Sequence, residues 1–130
     1  MKSADTRWVW FFVLAAAFNA GTGGPIFFCP AWSYSIAYIG PPDPAALRFW
    51  SDFGFAVLLV GLGYLVIALD LNRGKGIAFL GVIAKLFDVI VLPMRWAEGL
   101  AHPIVLWPAA IDGLFAIGFV VFLLRRRPTN

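Results

Sequence analysis

Residues 53–69 read FGFAVLLVGLGYLVIAL, a run without a charged side chain that Asp52 and Asp70 bound. A helix needs roughly 20 apolar residues to cross the hydrocarbon core of a bilayer. With its flanks, the stretch reads as a transmembrane helix over about 52–71. Three further runs of the same character lie at about 8–28, 76–95 and 104–124. Together they use most of the 130 residues, so the expected fold class is all-α. The expectation is one transmembrane domain, 1–130, built as an integral membrane four-helix bundle in up-down-up-down order. Composition agrees: 62% of residues are apolar and 13% charged. A soluble domain is about a quarter charged, and a small one has too little interior to hide so much apolar surface. That excludes an ordinary soluble domain, a disordered chain and a disulfide scaffold.

Basic residues divide unevenly between the two ends of such a bundle. Lys2 and Arg7 precede the first span, Arg73 and Lys75 lie between the second and third, and Arg125, Arg126 and Arg127 follow the fourth. Arg48 and Arg95 fall on the other side. The positive-inside rule then predicts both termini in the cytoplasm, in a multi-pass protein of a bacterial inner membrane. The net charge of +3 serves topology and calls for no nucleic-acid partner. Trp32, Trp50, Trp96 and Trp107 fall on the outer side, where amphipathic rings favour the interface. Ala15-Ala16-Ala17 after a basic start has a signal-peptide flavour, but the apolar pattern continues to Phe28 and reads as a span.

The longest connection runs from Cys29 to Trp50. Its first part, 30–39, is aromatic and amphipathic and predicts a short interfacial helix in the first outer loop, ended by Gly40-Pro41-Pro42-Asp43-Pro44. Such a helix either caps the outer mouth of the bundle or is a connector held by its Trp and Tyr. The tight Asn72-Arg73-Gly74-Lys75-Gly76 turn predicts spans two and three as antiparallel neighbours. Pro103 or Pro108 is expected to start the last helix. Asp52-Phe-Gly-Phe-Ala-Val and Asp112-Gly-Leu-Phe-Ala-Ile align as D-x-x-F-A-[VI], which would fit a duplicated hairpin.

Ionisable residues within a span cost several kcal/mol unless paired or hydrated, and they point to function by default. Lys85, Asp88 and Asp112 are such residues, and Asn19 adds an amide. At about 1.5 Å per residue, Lys85 lies roughly 13 Å, Asn19 roughly 16 Å and Asp88 roughly 18 Å from the cytoplasmic end of their spans. Asp112 lies roughly 12 Å from the outer end, at the level of Asp88 in a core of about 30 Å. Three helices thus bring polar groups to one layer. Gly81, Lys85, Asp88, Leu92 and Arg95 fall on one helical stripe, with Lys85 and Asp88 spaced for an i, i+3 ion pair. Fully ionised, Lys85, Asp88 and Asp112 sum to −1, so a neutral layer needs a proton on one aspartate. In span one, Ala16, Ala20 and Gly24 have the spacing of a close helix contact, and Gly21-Thr-Gly-Gly-Pro25 predicts a bend or loosening.

These readings predict a binding site for a small ligand, ion or lipid head group, open to the outer side, formed by Asn19, Lys85, Asp88, Asp112 and Arg95. The alternatives are an accessory or structural subunit of a larger membrane complex, packing through Ala16, Ala20 and Gly24, and a quinone-linked oxidoreductase subunit. The partners expected are the lipid bilayer and either a small-molecule ligand or a membrane protein. No cofactor is named by the sequence. Cys29 is the only cysteine and His102 the only histidine, so neither a metal cluster nor a bis-histidine haem is encoded. No catalytic motif is present, and no catalytic residue is assigned.

The span layout, with Gly61-Leu-Gly63-Tyr64 in the second span and Gly81-Val-Ile-Ala-Lys85 in the third, resembles the DoxX-like type of small four-helix bacterial membrane protein. Some of those proteins are subunits of quinone-linked oxidoreductases and most have no assigned activity. The resemblance implies the bundle and admits the quinone-linked alternative, in which Lys85 and Asp112 would gate protons to a bound ring.

Overall fold

A computed structural model of the chain describes residues 3–126. Lys2 and Arg127, counted above as topology signals, lie outside the described residues. Five α-helices follow in order: α1 (Ser3–Phe28), α2 (Pro30–Ala37), α3 (Pro44–Leu69), α4 (Lys75–Ala97) and α5 (Leu106–Arg125). A 3-10 turn, Pro103–Val105, leads into α5. Four of the helices are long and apolar enough to cross a membrane. Their outward faces carry Leu62, Phe79, Leu80, Leu114 and Ile117, all exposed. Large apolar side chains on the outside of a bundle are a lipid-facing surface, and the chain is a multi-pass membrane protein.

Two helix boundaries differ from the sequence expectation. α3 starts at Pro44 rather than near 52, because Asp43 caps it: its carboxylate accepts from the Ala46 N–H at 2.7 Å, and Pro44 occupies the first turn. The extra turns carry Arg48 and Trp50. α1 does not loosen at Gly21-Thr-Gly-Gly but stays helical through Pro25 to Phe28. The Cys29 N–H still reaches the Pro25 carbonyl at 2.9 Å. What Pro25 removes is its own N–H, so the Gly21 carbonyl has lost its helical donor.

The bundle is two tight pairs, α1 along α3 and α4 along α5. Gly23 and Gly54 let the first pair touch. A Cβ on Gly23 would stand 2.9 Å from the Gly54 carbonyl oxygen, and one on Gly54 would stand 2.5 Å from the Phe27 nitrogen. The expected contact through Ala16, Ala20 and Gly24 is corrected accordingly. Ala16 is buried against Gly61, Ala20 is exposed, and a Cβ on Gly24 would meet nothing within 4 Å. α3 and α4 are antiparallel as expected, but they pack closely only beside their turn, where Ile77 faces Gly63 and Tyr64 faces Gly81. Beyond that level the two pairs are no longer in close backbone contact.

Aromatic side chains fill the half of the bundle next to the termini. Phe12, Tyr64, Ile67, Phe119 and Phe122 are fully buried there, with Phe12 stacked on Phe119 at 5.4 Å between ring centroids. Arg126 closes this terminal end by pairing with Asp5 of α1 and donating to Asn72 of the α3–α4 turn at 2.8 Å. At the opposite end α4 stops in a Schellman turn, with Gly99 N–H to the Trp96 carbonyl at 3.0 Å and Leu100 N–H to the Arg95 carbonyl at 2.9 Å. Gly99 supplies the positive φ of 74° that this turn requires. The loop then joins the segment after α2: Ile39 N–H donates to the Leu100 carbonyl at 3.0 Å and His102 N–H to the Ala37 carbonyl at 2.9 Å. Asp52 is exposed while Asp112 is buried, so the two D-x-x-F-A-[VI] segments put their aspartates in unlike surroundings.

Candidate functional site

Asn19 sits where α1 crosses Gly61 of α3, and its amide nitrogen donates to the Val57 carbonyl at 3.0 Å. That bond turns the amide oxygen toward α4, where it accepts from Lys85 Nζ at 2.7 Å. The same ammonium donates to Asp112 Oδ1 of α5 at 2.5 Å. Three helices are thereby joined by one nitrogen, and Asn19, Lys85 and Asp112 are each 3–4% exposed. Phe18, Phe115 and Tyr64 surround the ammonium with ring centroids at 5.0, 5.7 and 5.8 Å, adding cation–π attraction where water is scarce.

Asp88 stands one turn along α4. It does not take Lys85 as an i, i+3 partner: the lysine pairs with Asp112 instead. The neighbouring helices decide it, for Asn19 of α1 and Asp112 of α5 take two of the three Lys85 N–H groups. The Asp88 carboxyl instead lies near that of Asp112, and both line the same cavity. Arg95, the fifth predicted residue, stands apart. It pairs with Glu98 at 3.3 Å on the exposed end of α4 and does not reach the cluster.

Tyr64 belongs to the site and was not among the predicted residues. It is wholly buried, its ring lies over the Lys85 ammonium, and its hydroxyl has no hydrogen-bond partner. Gly81 makes room for it, for a Cβ there would stand 3.0 Å from the hydroxyl oxygen and from a Phe119 ring carbon. A phenol in mid-span was the available signal, in the Gly61-Leu-Gly63-Tyr64 segment.

These groups form the polar base of a cavity of about 910 Å³ that runs from Tyr64 and Lys85 to α2. Its walls are apolar and aromatic, among them Phe18, Pro25, Trp50, Phe53, Phe87 and Trp107. Exposed wall residues lie on both seams between the helix pairs: Ala56, Ile83 and Phe87 between α3 and α4, Gly21 and Trp107 between α1 and α5. The cavity is therefore reached sideways, from the level of the lipid. α2 covers its far end, which makes α2 a cap rather than a bare connector. Ser33 of α2 is buried and accepts from Trp50 Nε1 at 2.9 Å, and Tyr38 packs edge-on to Trp50 at 5.3 Å. Burial raises the Tyr38 phenol above its ordinary value.

No family model, curated protein or solved structure matches this chain. A space of this size with few polar groups at one end has the dimensions and lining of a site for one drug-sized or lipid-sized molecule.

Proposed function

We propose that the protein binds a small amphipathic molecule, with its apolar body in the cavity and its polar head on Asn19, Lys85, Asp88 and Asp112. The observation that carries this reading is the cavity itself, about 910 Å³ of largely apolar space with Asn19, Lys85, Asp88 and Asp112 among its lining, beside a buried Tyr64 hydroxyl that is set against Gly81 and has no partner. A polar network that served only to join helices would have its members satisfied, since an unpaired buried hydroxyl costs about 1–3 kcal/mol. Arg7, Arg73, Lys75, Arg125 and Arg126 gather at the terminal end, against Arg48 and Arg95 at the other. That bias supports cytoplasmic termini in a bacterial inner membrane and a cavity in the outer half of the bilayer. Gly81 and Lys85, which carry the DoxX-like resemblance, both belong to the site, and the chain is proposed to share that layout.

Native mass spectrometry from lipid discs tests the reading. The wild-type chain should carry a bound molecule of lipid-like mass, and Ala56→Trp, which fills the cavity from α3, should lose it. A bare wild-type chain, or a protein partner as the sole bound species, would contradict it.

A further inference from the structure

We infer that the head group taken by this cavity is a cation: a lipophilic ammonium, seated on the Asp88–Asp112 carboxyl pair in competition with a proton. The inference rests on the ligand-site reading above and adds the charge of the ligand.

The cluster has more acceptors than donors. Lys85 spends two of its three N–H groups on Asn19 and Asp112, and one of the two Asn19 amide hydrogens goes to Val57. The Thr22 hydroxyl turns back to the Phe18 carbonyl at 3.0 Å. Left without a protein donor are Asp112 Oδ2 and the Asp88 carboxyl, and the Gly21 carbonyl lacks the helical N–H that Pro25 cannot supply. Asp88, Gly21, Tyr64 and Asp112 all line the cavity. One ammonium against two carboxylates leaves a charge of −1 inside the bilayer. Either a proton on the pair or a cation from outside must balance it, because an uncompensated charge there costs several kcal/mol. An ammonium supplies the charge and up to three donors at once. Its aliphatic or aromatic body finds Phe18, Trp50, Phe53 and Trp107, whose ring faces also attract cations. An anionic head would meet two carboxyls and a lysine already engaged.

Binding exchanges one proton for one cation. The O–H of the protonated carboxyl breaks, the proton leaves to water, and the ammonium N–H groups donate to the carboxylate oxygens. The groups facing the pair are Lys85 from α4, Tyr64 from α3 and, more distantly, Tyr38 after α2 and Arg95. The near side of α1 brings Asn19 and Thr22, neither of which titrates.

The test uses the full chain in phosphatidylcholine discs and three probes with one twelve-carbon tail: dodecylammonium, dodecanol and dodecanesulfonate. Binding is read by tryptophan fluorescence against empty discs. At neutral pH the ammonium should bind about tenfold or more tighter than the alcohol, a gap of about 1.4 kcal/mol, and the sulfonate weakest. Lowering the pH should weaken the ammonium by up to about tenfold per unit while leaving the alcohol unchanged, the slope of one competing proton. Asp88→Asn, checked for an unchanged unfolding midpoint, should bring the ammonium down to the level of the alcohol. If that variant does not fold, the wild-type pH series decides. Alcohol or sulfonate binding as tightly as the ammonium, or a flat pH series, would overturn the cation and leave the ligand site standing. Failure of all three probes would remove both.

Discussion

Lys85 is the residue on which the bundle turns, and its partners define what substitution does. Breaking a buried pair leaves a charge without compensation, whereas replacing both members removes the problem. Lys85→Met should therefore destabilise the protein by about 3 kcal/mol, and adding Asp112→Leu should recover most of that loss. Unfolding in mixed detergent micelles measures both, and a double variant as unstable as the sum of the singles would contradict the pairing. Tyr64→Phe removes a hydroxyl that bonds to nothing, so the ligand-free protein should keep its stability or gain up to about 1 kcal/mol. A loss of that size would mean the hydroxyl has a protein partner. The polar layer was legible in the sequence because helical rise alone fixes depth, and depth counting brought Asn19, Lys85, Asp88 and Asp112 to one layer. The pairing within it was not. Spacing favours Lys85 with Asp88, but the arrival of α5 decides for Asp112. Tyr64 escaped because a tyrosine in an apolar run counts as apolar in a hydropathy reading, and its lack of a partner exists only in three dimensions.

Helix existence followed from the apolar runs, and helix contacts did not. Ala16, Ala20 and Gly24 have the spacing of a packing stripe, yet the stripe in use runs through Ala16, Asn19 and Gly23. The two sets share Ala16 and then differ by one residue, about 100° around the helix, and only the rotation of α1 against α3 chooses between them. Two adjacent glycines therefore give opposite forecasts. Gly23→Ala presses a methyl group onto backbone atoms of α3 and should cost about 1–3 kcal/mol. Gly24→Ala meets open space and should be neutral or stabilising by up to about 1 kcal/mol. Thermal unfolding in detergent separates them, and equal effects would place the α1–α3 contact elsewhere. The ends of α3 and α4 show a related limit. Asp43-Pro44 and Glu98-Gly99 are local start and stop signals within loop sequence, and a hydropathy window averages them away.

At the scale of the molecule, the cavity exists because two helix pairs are tied at both ends and separate between. Arg126 with Asp5 and Asn72 fastens one end, and the paired segments 37–39 and 100–102 fasten the other. No sequence pattern announces such a space, since it is defined by where side chains stop. The residues around it were legible only as membrane-interface tryptophans and as a polar layer. Whether that layer joins three helices at the base of the cavity is the claim on which the ligand site depends. Solid-state NMR in lipid bilayers measures it directly, through the dipolar coupling between ¹⁵N of the lysine ammonium groups and ¹³Cγ of the aspartates. The predicted result is one strong coupling, from Lys85 Nζ to a carboxyl that Asp112→Asn removes and Asp88→Asn retains. A coupling that vanishes with Asp88→Asn, or none at all, would contradict the account.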